Sequence, residues 1–208
     1  MGLVRRNAEP EPPEAAAEAP SVETLLEQLE DLEPECRREA ALGLDGVARA
    51  VPALLRRAGV ETEPAVRDAV LTTLAAQDTE PVASGLAEFL ASDDAGLRTA
   101  AAEAMATMPR SVPALVPALI ADPDHDVRVM TAMVLADLHH PESQSWLATM
   151  ISNDPHPNVV TSAIDALLPS AGPEHVPLLE AAMRRFPDDP FLRFTVEKAM
   201  PRLIGTSR

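Results

Sequence analysis

The chain has little of what most enzyme chemistry uses. Its 208 residues include one cysteine, one tryptophan, four phenylalanines, no tyrosine and a single lysine against sixteen arginines. One cysteine excludes an internal disulfide and fits a reducing compartment. No apolar run approaches the roughly 18 to 20 residues of a membrane-crossing helix, and the first residues lack an apolar signal core, so the expected location is the cytoplasm, with no membrane partner. Gly2 follows the initial Met, but Arg6 stands where a myristoylation signal needs Ser or Thr, and the glycine reads as incidental. Positive charge is also scarce. Seventeen Lys and Arg face thirty-three Asp and Glu, a net charge of −16, whereas phosphate backbones are held by clustered bases that release counterions. Nucleic acid is not an expected partner.

Catalytic groupings are missing in the same way. The eight glycines form no phosphate-cradling loop, nucleophile elbow or dinucleotide fingerprint. His125, His139, His140, His156 and His175 are scattered, and none stands in a His-x-x-x-His or His-Glu-x-x-His arrangement. Neither a metal nor a cofactor is expected. Cys36 occupies a position that is Val or Leu elsewhere and reads as a core thiol. Trp146, with Leu147 and Met150, has the spacing of a core side chain.

What the chain does have is a period. Arginine recurs at Arg37, Arg67, Arg98, Arg128 and Arg193, with Val160 in the fifth of six places, at intervals of 30, 31, 30, 32 and 33 residues. A fixed repeat of this size marks stacked units, each too small to bury its own apolar face. One residue before the arginine, and three and seven after it, the side chains are nearly all apolar: Val127, Thr131 and Leu135 in the fourth unit, Val66, Val70 and Leu74 in the second. Those offsets form one stripe of a helix. Four residues ahead stand Glu33, Glu63, Asp94, Asp124, His156 and Asp189, and acids just before an apolar periodic run are signals of a helix start.

Each unit also has a preceding apolar segment, read as a first helix: residues 22–32, 51–60, 82–90, 112–120, 145–151 and 176–186. Proline enters several of them, as at Pro52, Pro81, Pro113 and Pro177, where first-turn amides lack helical partners anyway. Pro117 falls deeper and predicts a kink or a delayed start. No segment alternates with the period of a half-buried strand. The predicted fold is all-α: a solenoid of about six helix pairs over residues 21–203, preceded by a disordered acidic Ala/Glu/Pro-rich tail, 1–20, and followed by a short tail, 204–208. Residues 1–35 hold ten acids against two arginines, which is half of the chain's imbalance.

The run Asp122-Pro-Asp-His-Asp-Val-Arg128, followed by Ala132 and Leu135, resembles the HEAT repeat, in particular the short HEAT-like repeats named after phycobilisome lyases. The resemblance spans six units. It implies a right-handed stack of helix pairs in which turn acids such as Asp122 and Asp124 and the helix arginines Arg37, Arg67, Arg98, Arg128 and Arg193 form a hydrogen-bonded ladder between neighbours. The fifth unit departs from the pattern, since Val160 replaces the arginine and His156 the acid, and one rung is expected to be missing. Among proteins of related architecture, the di-iron hydroxylase of deoxyhypusine relies on His-Glu dipeptides, and no histidine here is followed by glutamate. Helical-repeat DNA glycosylases line their concave face with bases, which this chain lacks.

If the apolar stripe points inward, the positions one, five and eight after each arginine point towards the concave flank that solenoids use for binding. There the fourth unit offers Val129 and Met133, with Met130 beside them, between Glu103 and Asp165 of its neighbours. Exposed, these residues make a methionine-rich strip edged with carboxylates, suited to a basic amphipathic helix or peptide of another protein. Buried, they are ordinary packing against the next unit. The expected function is a non-catalytic scaffold or adaptor for protein partners. The alternatives are a phycobilin lyase-like or chaperone-like accessory role and a metal-dependent oxidoreductase of the HEAT-like type. The sixteen-to-one ratio of arginine to lysine, with abundant Ala and Pro, suggests a GC-rich bacterial genome.

Overall fold

The computed structural model describes residues 20–205. Nearly all of the acidic segment read as a tail, and residues 206–208, lie outside the described residues. Within them the chain forms twelve α-helices with short 3-10 turns and no strand. They alternate in two layers. The first helices of the six units are α1 (Val22–Gln28), α3 (Val51–Val60), α5 (Glu80–Glu88), α7 (Val116–Leu119), α9 (Ser143–Asn153) and α11 (Val176–Arg185). The second helices are α2 (Pro34–Gly43), α4 (Pro64–Gln77), α6 (Ala95–Ala106), α8 (His125–Asp137), α10 (Pro157–Leu167) and α12 (Pro190–Ile204). Each second helix packs on the next, α2 on α4 through to α10 on α12, so the units follow one another in a row and the core runs from Leu25 to Leu203 without interruption.

The arginine register explains the second helices. In all six units the residue four before the register position is the N-cap, and the amide at the register position makes the first helical hydrogen bond back to its carbonyl. Asp94, Asp124 and Asp189 accept main-chain amides with their carboxylates, and His156 does so through Nδ1. Sixteen of the eighteen stripe positions are buried, which fixes the inward face of the second helices; Cys36 and Met200 are the half-buried exceptions. Cys36 is therefore not the core thiol that its position suggests, and desolvation, reinforced by Asp31, pushes its thiol pKa up.

Side chains lean towards the N-terminus of a helix. Each register arginine consequently folds back onto the turn that precedes it and donates to the carbonyl six residues earlier: Asp31 for Arg37, Glu61 for Arg67, Ser92 for Arg98, Asp122 for Arg128 and Pro187 for Arg193. Some also reach forward to the next unit. Arg37 grips Glu61 with two bonds of 2.8 and 2.9 Å, and Arg128 grips Asp154 with bonds of 2.6 and 3.1 Å. These acids are 1% and 6% exposed, so the pairs are charge-assisted bonds out of water. Arg67 reaches Asp94 at 2.8 Å nearer the surface. Arg98 and Arg193 hold only their own turns among the described residues. The ladder differs from the implied one in its acids too, because the carboxylates of Asp122 and Asp124 accept amides within their own turn and, among the described residues, pair with no arginine of a neighbouring unit.

The fifth unit, where Val160 is fully buried, is mended from outside the register. Arg185, at the end of α11, donates to the carbonyls of Ile151, Ser152 and Asp154. Asp154 is six residues before Val160. The slot that a register arginine fills elsewhere is thus taken by a first-helix arginine, which also caps the last turn of α9.

The first helices follow their prolines. Pro117 delays α7 as expected: a 3-10 turn spans Val112–Ala114, and α7 itself has only four residues, Val116–Leu119, with Pro117 in its first turn. Helix α1 stops at Gln28, short of the expected Leu32. At the other end α12 includes Ile204, so the C-terminal tail begins after it. Gly85 lets α3 and α5 approach closely, since a Cβ there falls 2.3 Å from Leu55.

Candidate functional site

The face of the second helices that is turned away from the core presents the positions one and five after the register residue. The structure places the five residues of the expected strip differently from one another. Met133 is exposed at 41%, Val129 is half-buried and packed against the core, and Met130 is buried at 7%. Met130 therefore belongs to the core: it lies two positions after Arg128, on the flank of α8 that faces a neighbouring helix. Glu103 and Asp165 are exposed, but each borders a groove of its own.

Glu103 lines a groove of about 750 Å³ between α4 and α6. Asp68 and Thr72 of α4 stand on one side and Glu103 of α6 with its C-cap Thr107 on the other, over Leu71, Ala75 and Ala104. The small side chains come from the alanine-rich sequence of both helices, and they leave the space. Asp68 and Glu103 form no ion pair among the described residues, and the cation that lines the groove, Arg110, is paired with Asp78 instead. One end is closed by Asp78 and Arg110. Asp78 terminates α4 in the left-handed conformation, φ 42°, which Asp tolerates better than most residues. It accepts from the Ser111 amide and hydroxyl at 3.0 and 2.6 Å, and Arg110 Nε lies 3.1 Å away. Burial pushes the Asp78 carboxyl up, but the bonds from Ser111 and Arg110 outweigh it and hold it below the ordinary range. That bridge joins two inter-unit turns across the foot of the groove.

Asp165 lines a second groove, of about 550 Å³, between α10 and α12, with Leu168, Phe191, Phe194 and Lys198. Partial burial raises the Asp165 pKa. Phe191 and Phe194 are exposed at 63% and 56%. Phe194 stands one residue after Arg193 and so belongs to this face by its offset, whereas Phe191, two residues before Arg193, falls outside the offsets that repeat. The signal that could have found them was scarcity: two of only four phenylalanines lie three residues apart on one helix.

Two further pairings were not legible from spacing. His125 and His156, at the starts of α8 and α10, stack with ring centroids 4.0 Å apart, and His140 stacks on half-buried Trp146 at 5.0 Å. Among the described residues no three His, Cys, Asp or Glu side chains gather in a way that could hold a metal ion, and no helix is long and apolar enough to cross a membrane.

Paired helices in register, stacked in one direction on a shared core, define an α-helical repeat protein. A family model for HEAT repeats matches residues 22–106 and 112–200. The chain belongs to the HEAT-repeat family. Among solved structures it is similar to human deoxyhypusine hydroxylase (18% identity, covering 88% of this chain and 84% of that one, TM-score 0.42). It is also similar to the CpcE–CpcF complex of phycocyanin lyase from a Nostoc species (14% identity, 95% and 100%, TM-score 0.37) and to an engineered protein (17% identity, 88% and 96%, TM-score 0.38). No curated protein matches the chain by sequence.

Proposed function

We propose that the chain is a non-catalytic scaffold that holds a basic, amphipathic segment of another protein along the outward row of its second helices. The observation that carries this reading is the α4–α6 groove, in which Asp68 and Glu103 stand unpaired above a floor of small apolar side chains. A lysine or arginine entering it gains two carboxylates that form no ion pair of their own, since Arg110 at the end of the groove is engaged by Asp78. Apolar side chains of the same segment continue onto Met133, whose unbranched thioether adapts to varied shapes. The chain's charge of −16 adds long-range attraction for such a partner.

The test is a titration with a labelled helical peptide of Lys and Leu, alongside its Glu and Leu counterpart. Binding of the basic peptide only, weakened about tenfold or more by the double variant D68K/E103K and by added salt, supports the reading. Equal binding of both peptides, or none, overturns it. Cross-linking and mass spectrometry in native cells then identify the natural segment. A lyase-like role predicts instead that the purified protein carries a chromophore, which an absorption spectrum reads directly.

A further inference from the structure

The α4–α6 groove carries a second inference, which rests on its reading as a binding site and concerns what controls access to it. Its lining holds three carboxylates, Asp68, Asp78 and Glu103, against one guanidinium, Arg110. Arg110 and Asp78 pair with each other, so the excess negative charge rests on Asp68 and Glu103. The chain itself contains a segment of the complementary kind. Residues 2–7 read Gly-Leu-Val-Arg-Arg-Asn, in which Leu3 and Val4 adjoin Arg5 and Arg6, the only bases in the first 36 residues. The other adjacent arginine pairs, Arg37 with Arg38, Arg56 with Arg57 and Arg184 with Arg185, are built into helices of the array.

We propose that residues 2–7 occupy the α4–α6 groove of their own molecule and that a partner's basic segment binds by displacing them. Arg5 and Arg6 meet Asp68 and Glu103, and Leu3 and Val4 lie over Leu71, Ala75 and Ala104.

Topology brings the segment to the open end of the groove. Glu23, in the first turn of α1, pairs at 2.7 Å with Arg49, in the turn between α2 and α3, so the chain enters the array at the edge where the second helices end. Asp78 and Arg110 occupy the corresponding turns after α4 and α6 and mark the end of the groove at that same edge. Helix α2 packs on α4 and α4 on α6, and with axes roughly 10 Å apart the groove lies about 20 to 30 Å from the start of α1. The thirteen residues from Ala8 to Pro20 span up to about 40 Å. The acids of that stretch, Glu9, Glu11, Glu14 and Glu18, all follow Asn7 and fall on the connection outside the groove. A tether of this length gives an effective concentration on the order of millimolar, so two charge-assisted contacts suffice against weakly binding competitors.

The test uses the full chain and the peptide of Lys and Leu. L3S/V4S leaves the net charge unchanged and R5Q/R6Q removes both bases. Each variant binds the peptide about tenfold or more tightly than wild type, with helicity unchanged, and the gain is lost when D68K/E103K is added. In R5K/R6K, carbodiimide cross-linking at high dilution joins a substituted position to Asp68 or Glu103 within one molecule. Measurable and equal affinity in wild type and both variants overturns the proposal, as does absence of that cross-link. A gain in R5Q/R6Q without one in L3S/V4S is the general effect of charge and overturns it too. If no protein binds the peptide, the variants included, the scaffold reading fails instead, and the cross-link by itself upholds or overturns the placing of residues 2–7.

Discussion

Arg185 donates through Nη2 to the main-chain carbonyl of Asp154, the acceptor six residues before the valine that replaces the fifth unit's register arginine. The same guanidinium holds the carbonyls of Ile151 and Ser152. Changing Arg185 to Ala leaves three acceptors at the α9–α10 turn without this donor. The expected loss is about 1 to 3 kcal/mol, measured by urea unfolding, with hydrogen exchange accelerated first in α9 and α11. Unaltered exchange there counts against the mended rung.

The register arginines should rank by their forward partners. Arg128→Ala strands the buried Asp154 carboxylate and is expected to cost about 3 kcal/mol or more, with Arg37→Ala costing less because Arg57 still lies 3.2 Å from Glu61. Arg98→Ala removes only a bond to its own turn and should cost about 1 kcal/mol. Equal losses for Arg128→Ala and Arg98→Ala in denaturant titrations rule out the distinction drawn between them.

Acid should loosen the first rung. Burial pushes the Glu61 carboxyl up, but Arg37, the Glu63 amide and Arg57 outweigh it and hold its pKa at about 2, against 4.5 for the ordinary side chain. The unfolded chain therefore takes up this proton at higher pH than the folded one. The stabilisation is complete above about pH 4.5 and disappears between there and about pH 2, amounting to on the order of 3 kcal/mol. Thermal unfolding followed from pH 6 to pH 2 should show this slope, and Glu61→Gln should flatten it.

The methionines of α8 should separate. Met133→Glu is expected to leave stability within about 0.5 kcal/mol, while Met130→Glu buries a carboxylate among apolar side chains and should cost about 3 kcal/mol or more. Val129→Glu should fall between. Melting temperatures of the three variants check the order.

Much of this architecture was legible because one residue type keeps time. The arginine interval alone places six N-caps, and Val66, Thr131 and Leu135 are buried as their offsets require. The rest escaped for identifiable reasons. Met130 lies only one position past Val129, yet packing in a row of second helices covers both flanks of each inner helix as well as its base, and a single-helix stripe does not show that. Arg185 is invisible to the period because it comes from the other layer. Asp122 and Asp124 carry the right charge at the right place, but Arg98, the arginine of the preceding unit, donates only to the Ser92 carbonyl of its own turn and does not reach them. The α10–α12 groove is not legible from repeating positions, because Phe191 and Phe194 occur in one unit only.

The two halves of the Arg37 rung are each positioned before they meet. Arg37 is steadied by the carbonyls of Asp31 and Leu32, and Glu61 by the amides of Thr62 and Glu63. Little side-chain freedom remains to be lost when the second unit docks on the first, so growth along the row is a succession of plug-and-socket steps. A module carrying both fittings could be duplicated to lengthen the molecule without redesigning its neighbours.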